Sequence, residues 1–292
     1  MMRSPRSTRG VNCRMTESVR GVFEADLRDF VSTFRKGIST TNGDWTVKGF
    51  VDVFKNVYTI SSDTKIVSKI LEIHLFPLLA EFAENKGYKI VLADHQNYYP
   101  DMTFVDRDDS SKKFAVDFKT TYRKPEQPGF CNGFTLGSHG MYFTDRTSKK
   151  NIQFPYREYD GHFCLGIIYD RAVVKDIDET KRLNIDDLES ITSVITDIEF
   201  FVAEKWRIAS DKGGSGNTAN IGSINNIEDI LAGRGMFCEL GEEWFDDYWI
   251  NFGKISVTIE DGTTKKITNL QDFVRFRGGL VELVRKKRGA GG

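Results

Sequence analysis

The strongest constraint on this chain's fold is a pair of short strand-like runs, 102–105 and 114–119, separated only by the polar stretch DRDDSSKK. Asp, Ser and Lys at that density favour a turn over continued strand, so the two runs fold back on each other as an antiparallel hairpin. With the turn centred near residue 109 or 110, Asp101 falls opposite about residue 118, beside Asp117 and Lys119. Successive side chains on a strand point to opposite faces, so Asp117 and Lys119 share one face while Val116 and Phe118 take the other. Two carboxylates and an ammonium therefore converge on one side of a sheet.

Asp117 lies within FAVDF, where a charge interrupts an otherwise apolar strand. Burying it costs several kcal/mol unless something such as a metal ion compensates it. Two aspartates supply hard oxygen ligands suited to Mg²⁺, which keeps several waters, one of them available as a nucleophile. A lysine beside them can orient that water and stabilise charge building up on phosphoryl oxygens. The pattern also arises by chance, and a solvated hairpin edge explains it without chemistry. Glu72 similarly interrupts the apolar run ILEIHLFPLLA, though a partly exposed helical glutamate accounts for it equally well.

Helical spacing of Val22, Phe23, Leu27, Phe30, Val31 and Phe34 predicts a helix over 20–35, stopped by Gly37. Residues 45–60 read as a hairpin or two strands interrupted by Lys55 and Asn56. A second helix should start with Ser62 or Asp63 as cap and run to about Asn85, with a kink or break at Pro77. Strands are expected at 88–92, 163–169 and 198–202, and a helix at 185–194. Residues 123–161, rich in Gly, Pro and charge, show little periodicity, and DKGGSGNTANIGS is a loop of small polar residues.

A hydrophobic content of 39% and a charged content of 28% place the chain among soluble globular proteins, and no apolar run approaches a membrane span. A cytoplasmic location is expected. The formal charge of -1 means that any grip on nucleic acid must come from local patches. Cys13, Cys131, Cys164 and Cys238 form no CxxC pair and share no zinc spacing with the histidines, so free thiols are expected. Residues 1–19 read as a disordered basic extension, 20–284 as a single catalytic domain, and 285–292 as a basic flexible tail.

Read as strings, YYPDMTF followed by FAVDFKTTY resembles the PD-(D/E)xK nuclease superfamily, and within it the type II restriction endonucleases. The resemblance extends in order through SSDTKIVSKILEIHLFPLLAEFAENKGY, FTLG, GSGNTANIGSI and EEWFDDYW, covering roughly Ser61 to Phe252. It implies an α/β fold with a central mixed β-sheet flanked by helices, a homodimer, and a cut in both strands of duplex DNA. By this resemblance Asp101 and Asp117 bind Mg²⁺, Lys119 is the catalytic lysine, and Glu72 is an auxiliary acidic ligand.

The same resemblance makes Gly214, Ser215, Gly216, Asn217 and Thr218, with Asn220, a recognition loop in the major groove. Glycines let the backbone approach base edges, and an asparagine can pair with adenine. Gln96 and Asn97 resemble a loop that follows the minor groove, and Thr120 a phosphate contact. Lys149, Lys150, Arg275, Arg277 and the 285–288 cluster are further basic candidates, a solvated charge run being the plain alternative for the last. Lys212, Gly213, His95, Tyr98 and Ala219 depart from the family pattern without touching the metal trio. The implied target is GATATC, cut to blunt ends, with a cognate DNA methyltransferase in the host. A repair or recombination nuclease of the same fold, and a DNA-binding module that has lost cleavage, are the competing readings. The intact recognition loop argues against the first and the intact Asp101, Asp117 and Lys119 against the second.

Overall fold

The hydroxyl of Ser18 accepts from the Gly21 N–H and caps helix α1 (Val19–Val31), which buries Phe23, Leu27 and Val31 at spacings of one helical turn. A computed structural model describes residues 18–95, 97–172, 180–214, 219–258 and 262–286 of the chain. The helix expected over 20–35 forms as α1, a tight turn, and the short α2 (Arg35–Ile38). Strands β1 (Gly49–Val51) and β2 (Asn56–Thr59) make the expected hairpin, closed by Asp52, whose carboxylate accepts from the N–H groups of Phe54 and Asn56.

Asp63 caps helix α3 (Thr64–Asn85) by accepting from Lys65 and Ile66. Pro77 lies inside this helix, yet the helix continues through it, so the break considered there does not occur. Proline removes one backbone hydrogen bond, while Leu71, Leu75, Leu79 and Phe82 bury both halves against the same core.

The five-stranded sheet that follows has the order β3 (Tyr88–Leu92), β4 (Met102–Asp106), β5 (Lys113–Tyr122), β7 (Gly161–Arg171) and β9 (Ile195–Glu204). β5 and β7 are parallel and the other pairs antiparallel, so the sheet is mixed. The crossover between β5 and β7 carries β6 (Thr135–Ser138) and helix α4 (Met141–Thr144). Short strand β8 (Arg182–Asn184) adds to the β1–β2 hairpin. The segment 185–194, expected as a helix, forms only a six-residue 3-10 turn, Ile185–Ser190, and β9 starts earlier than expected, at Ile195. Nothing in that turn is buried, so no apolar stripe holds a longer helix, whereas Val194 and Ile195 are fixed in the core.

Beyond β9, β10 (Ala209–Gly213) and β11 (Asn220–Ser223) form a hairpin that pairs with β6 as a second sheet. Helices α5 (Ile227–Leu231) and α6 (Glu242–Asn251), the hairpin of β12 (Ser256–Thr258) and β13 (Thr264–Lys266), and helix α7 (Leu270–Phe276) complete the chain. The fold is therefore the expected mixed α/β arrangement of sheets flanked by helices. Cys131, Cys164 and Cys238 are free thiols, and Cys13 lies outside the described residues.

The central sheet separates two apolar cores. Phe114, Val116 and Phe118 of β5 face α1 and α3, together with Phe163, Leu165 and Ile167 of β7. Phe23 stacks on Phe114 with ring centroids 4.1 Å apart, and full burial of one such ring contributes about 1.5–3 kcal/mol. Ala115, Cys164 and Ala203 face the opposite core, which contains Tyr99, Tyr156 and Trp249. Gly166 pairs with Phe201, and a Cβ there would lie 1.9 Å from the Phe201 ring. Glycine is thus required for the ring to lie against β7, next to the position of Lys119.

Candidate active site

Strand β5 alternates Phe114, Val116 and Phe118 into one core, and the same alternation turns Asp117 and Lys119 toward the other face. The observed register, Met102 opposite Val116, places Asp101 across from Asp117, one position from the expected 118. Asp101 lies where the β4 ladder ends, and its Oδ2 accepts from the Phe118 N–H at 2.7 Å. A side chain replaces the missing strand partner and is oriented by it. Lys119 donates to the Phe118 carbonyl at 2.9 Å and forms an ion pair with Asp117. The three groups read from spacing are brought together.

Their electrostatics follow from burial. Desolvation and the neighbouring Asp117 charge, opposed by Lys119, raise the Asp101 carboxyl to about 7. Asp117 is only 8% exposed, and desolvation works against its charge, yet Lys119 and a hydrogen bond from Asp101 hold it below the ordinary carboxylate range. Desolvation likewise opposes the Lys119 ammonium, and the two aspartates outweigh it and push its pKa upward. Two carboxyl groups sharing a hydrogen bond in a buried site need a proton or a cation between them. A divalent metal would displace that proton, and two hard oxygen donors next to the groove-lining Lys119 fit Mg²⁺, which binds through one or two carboxylates and keeps its waters.

Glu72 lies on α3 and pairs with Lys69 at 2.8 Å. It lines an open groove of about 920 Å³ with Lys119, Thr120, Phe134 and Thr135. Among the described residues no three acidic, histidine or cysteine side chains form a compact metal cage, so Glu72 shares the groove without closing on the aspartate pair. Thr120 follows Lys119 along the groove wall, and Asn97 is exposed at the turn before β4.

The described ends of the recognition segment expected near 212–220 belong to the β10–β11 hairpin. Lys212 and Gly213 end β10, and Asn220 opens β11 opposite Ser138 of β6. Gly214 donates to the Asn220 carbonyl at 2.8 Å, and a Cβ at Gly214 would meet the Thr135 side chain at 2.5 Å. Ser215, Gly216, Asn217, Thr218 and Gln96 lie outside the described residues, as do 1–17 and 287–292. Of the other basic candidates, Lys149 and Lys150 are exposed, while Arg275, Arg277 and Arg285 pair with Asp272, Asp247 and Asp229.

Sequence reasoning passed over Lys205, a buried lysine on the same face. The signal was present: Glu204 and Lys205 interrupt the apolar run FFVAEKWRIA much as Asp117 interrupts FAVDF. Among the described residues no helix is long and apolar enough to cross a membrane.

The family described as restriction endonuclease EcoRV matches residues 41–278 of this chain. The type II restriction enzyme EcoRV of Escherichia coli is 34% identical to it over 233 residues, which is 80% of this chain and 91% of that enzyme. The match spans α3, the β4–β5 hairpin with its Asp101, Asp117 and Lys119, and the β10–β11 hairpin, so sequence kinship and site geometry fall on the same residues. The chain belongs to the EcoRV family of type II restriction endonucleases.

Proposed function

We propose that this chain is a Mg²⁺-dependent endonuclease that works as a homodimer and cuts both strands of duplex DNA at GATATC, leaving blunt ends. The observation that carries this reading is the convergence of Asp101 and Asp117 on Lys119, which lines an open groove. Asp101 and Asp117 would hold the metal, with Glu72 as auxiliary ligand from across the groove. When bound, Mg²⁺ supplies Lewis acidity and a water of lowered pKa. Lys119, held charged by the two aspartates, orients the attacking water and faces the charge that grows on the phosphoryl oxygens. The Phe118 N–H fixes Asp101, so the ligand geometry is set before substrate arrives.

The dimer is supported by the β1–β2 hairpin, where Val53 is 90% and Phe54 81% exposed beside exposed Phe50 and Val51. Contiguous apolar surface of this kind marks an interface. A second copy is the occupant proposed, because a palindromic site needs two identical reading loops related by a two-fold axis. A cytoplasmic location and a host methyltransferase that protects the same sequence complete the reading.

Plasmid digestion with Mg²⁺, followed by sequencing of the ends, tests the target. Discrete fragments ending in the middle of GATATC support it, and structure-dependent nicking favours a repair nuclease. Asn217→Ala should lower cleavage of that site, since a lost bidentate base contact costs about 1–3 kcal/mol of discrimination. Binding to unrelated duplex, which rests on phosphates, should hold nearly constant. Normal, specific cutting by this variant would remove the loop from recognition.

The site also sets a pH dependence. With its carboxyl raised to about 7, Asp101 carries a proton below that value, and the proton competes with the metal. Apparent Mg²⁺ affinity should therefore weaken as pH falls through about 7, approaching tenfold per unit, and recover above it. Half-saturating Mg²⁺ for cleavage, measured on both sides of neutrality, checks this. A flat response would contradict it.

A further inference from the structure

Lys205 opens the turn after β9 and is 3% exposed. Its place follows from the sheet: Asp117, Cys164 and Ala203 form one cross-strand row, and Lys205 comes two residues after Ala203. The ammonium lies over the ring faces of Tyr99, Phe143 and Tyr156, at 4.8, 5.6 and 6.0 Å from their centroids. Its fourth side is closed by Gly137, where φ is +95° and an added Cβ would stand 3.1 Å from Nζ. Among the described residues Nζ has no hydrogen-bond partner.

An ammonium in that position loses its hydration and receives only aromatic faces in return, which compensate a buried charge incompletely. Burial pushes Lys205 down to about 7, the Asp117 charge opposing that shift and Lys119 and Arg146 adding to it. The interaction is mutual, since Lys205 helps keep Asp117 ionised. A methionine of similar length would fill the same cage without the desolvation cost. Retaining the charge therefore has no explanation in packing.

We propose that Lys205 is a positioning residue for the metal-binding carboxylates, a caged cation whose charge acts through Asp117 and limits how tightly the aspartate pair takes a divalent ion. The inference rests on the metal-dependent reading of the site given above. In the metal-free protein Lys119, Lys205 and the proton shared by the two aspartates together offset the carboxylate charge. A divalent ion entering the site then meets a repulsion from Lys205 that only the carboxylates overcome.

The test is Mn²⁺ binding to the full-length, DNA-free protein at about pH 6, where Lys205 carries its full charge, followed by electron paramagnetic resonance of the free ion. Lys205→Met should bind Mn²⁺ about tenfold more tightly than the wild type, the order expected for removing one unit charge from the interior near a divalent ion. Its thermal unfolding midpoint should equal or exceed the wild type's, because an uncompensated buried charge is gone. Lys205→Gln, also neutral, should show the same direction. Unchanged or weaker Mn²⁺ binding in a folded variant would overturn the proposal. So would failure of both variants to fold, which would make the lysine structural. A wild-type protein that binds no Mn²⁺ would instead remove the metal reading, and this inference with it.

Discussion

Asp117→Ala is expected to bring cleavage of duplex DNA below detection, a loss of about a thousandfold or more, because on the proposed reading several kcal/mol of transition-state stabilisation depend on a metal that this carboxylate would hold. The side chain is buried, ion-paired with Lys119 and hydrogen-bonded to Asp101, so no neighbouring group takes its place. Alanine also leaves the Lys119 ammonium without its main partner. Breaking a buried pair in this way typically costs about 3–5 kcal/mol, so some loss of stability should accompany the loss of activity. Asp117→Asn separates the two effects. It keeps the shape and a hydrogen-bonding oxygen while removing the charge, and it should be equally inactive. Circular dichroism and denaturant titration report the fold, and a plasmid nicking assay reports the chemistry. Cleavage near the wild-type rate by either variant would remove Asp117 from the metal site.

Lys119→Met should reduce the cleavage rate about 100-fold to 1,000-fold, the usual effect of deleting one preorganised electrostatic group. DNA affinity should change far less, since Lys119 lies at the mouth of the groove against Asp117 and the Phe118 carbonyl and is largely screened by them. A second consequence distinguishes this residue from a simple phosphate anchor. Lys119 is the main group holding Asp117 below its ordinary range, and it also lowers Asp101. Without it both carboxyl groups should keep their protons to higher pH. The acid limb of the cleavage profile should then move upward, and more Mg²⁺ should be needed near neutrality. Single-turnover rates on a duplex across pH, together with binding measured in Ca²⁺, check both effects. Parallel loss of binding and cleavage would make Lys119 an anchor.

Much of this site was legible because it is local. The polar turn 106–113 forces 102–105 and 114–119 into one hairpin, and strand alternation then places Asp117 and Lys119 on one face. The register came out one residue from the expected pairing, because turn composition fixes where a hairpin bends less sharply than the packing of Val116 and Met102 does. Helices α1 and α3 were legible for the same reason, each carrying a cap residue and a periodic apolar stripe. The acidic segment Ile185–Ser190 was misread as a longer helix, since local composition cannot show that it has no core to pack on.

The sequence by itself determined the hairpin, the trio of Asp101, Asp117 and Lys119, and the membership that GSGNTANIGSI and its companions signal, all through contacts between near neighbours or through strings read directly. Only the tertiary structure decided what surrounds the trio. Parallel pairing of β5 with β7 across the crossover brings Cys164 beside Asp117, and β9 then carries Lys205 to the same face. Tyr99, Gly137 and Tyr156 reach that lysine from separate segments. Those meetings depend on which strands lie side by side and on how well two cores fill. Both are properties of long-range packing, for which the linear order of residues offers no period to read.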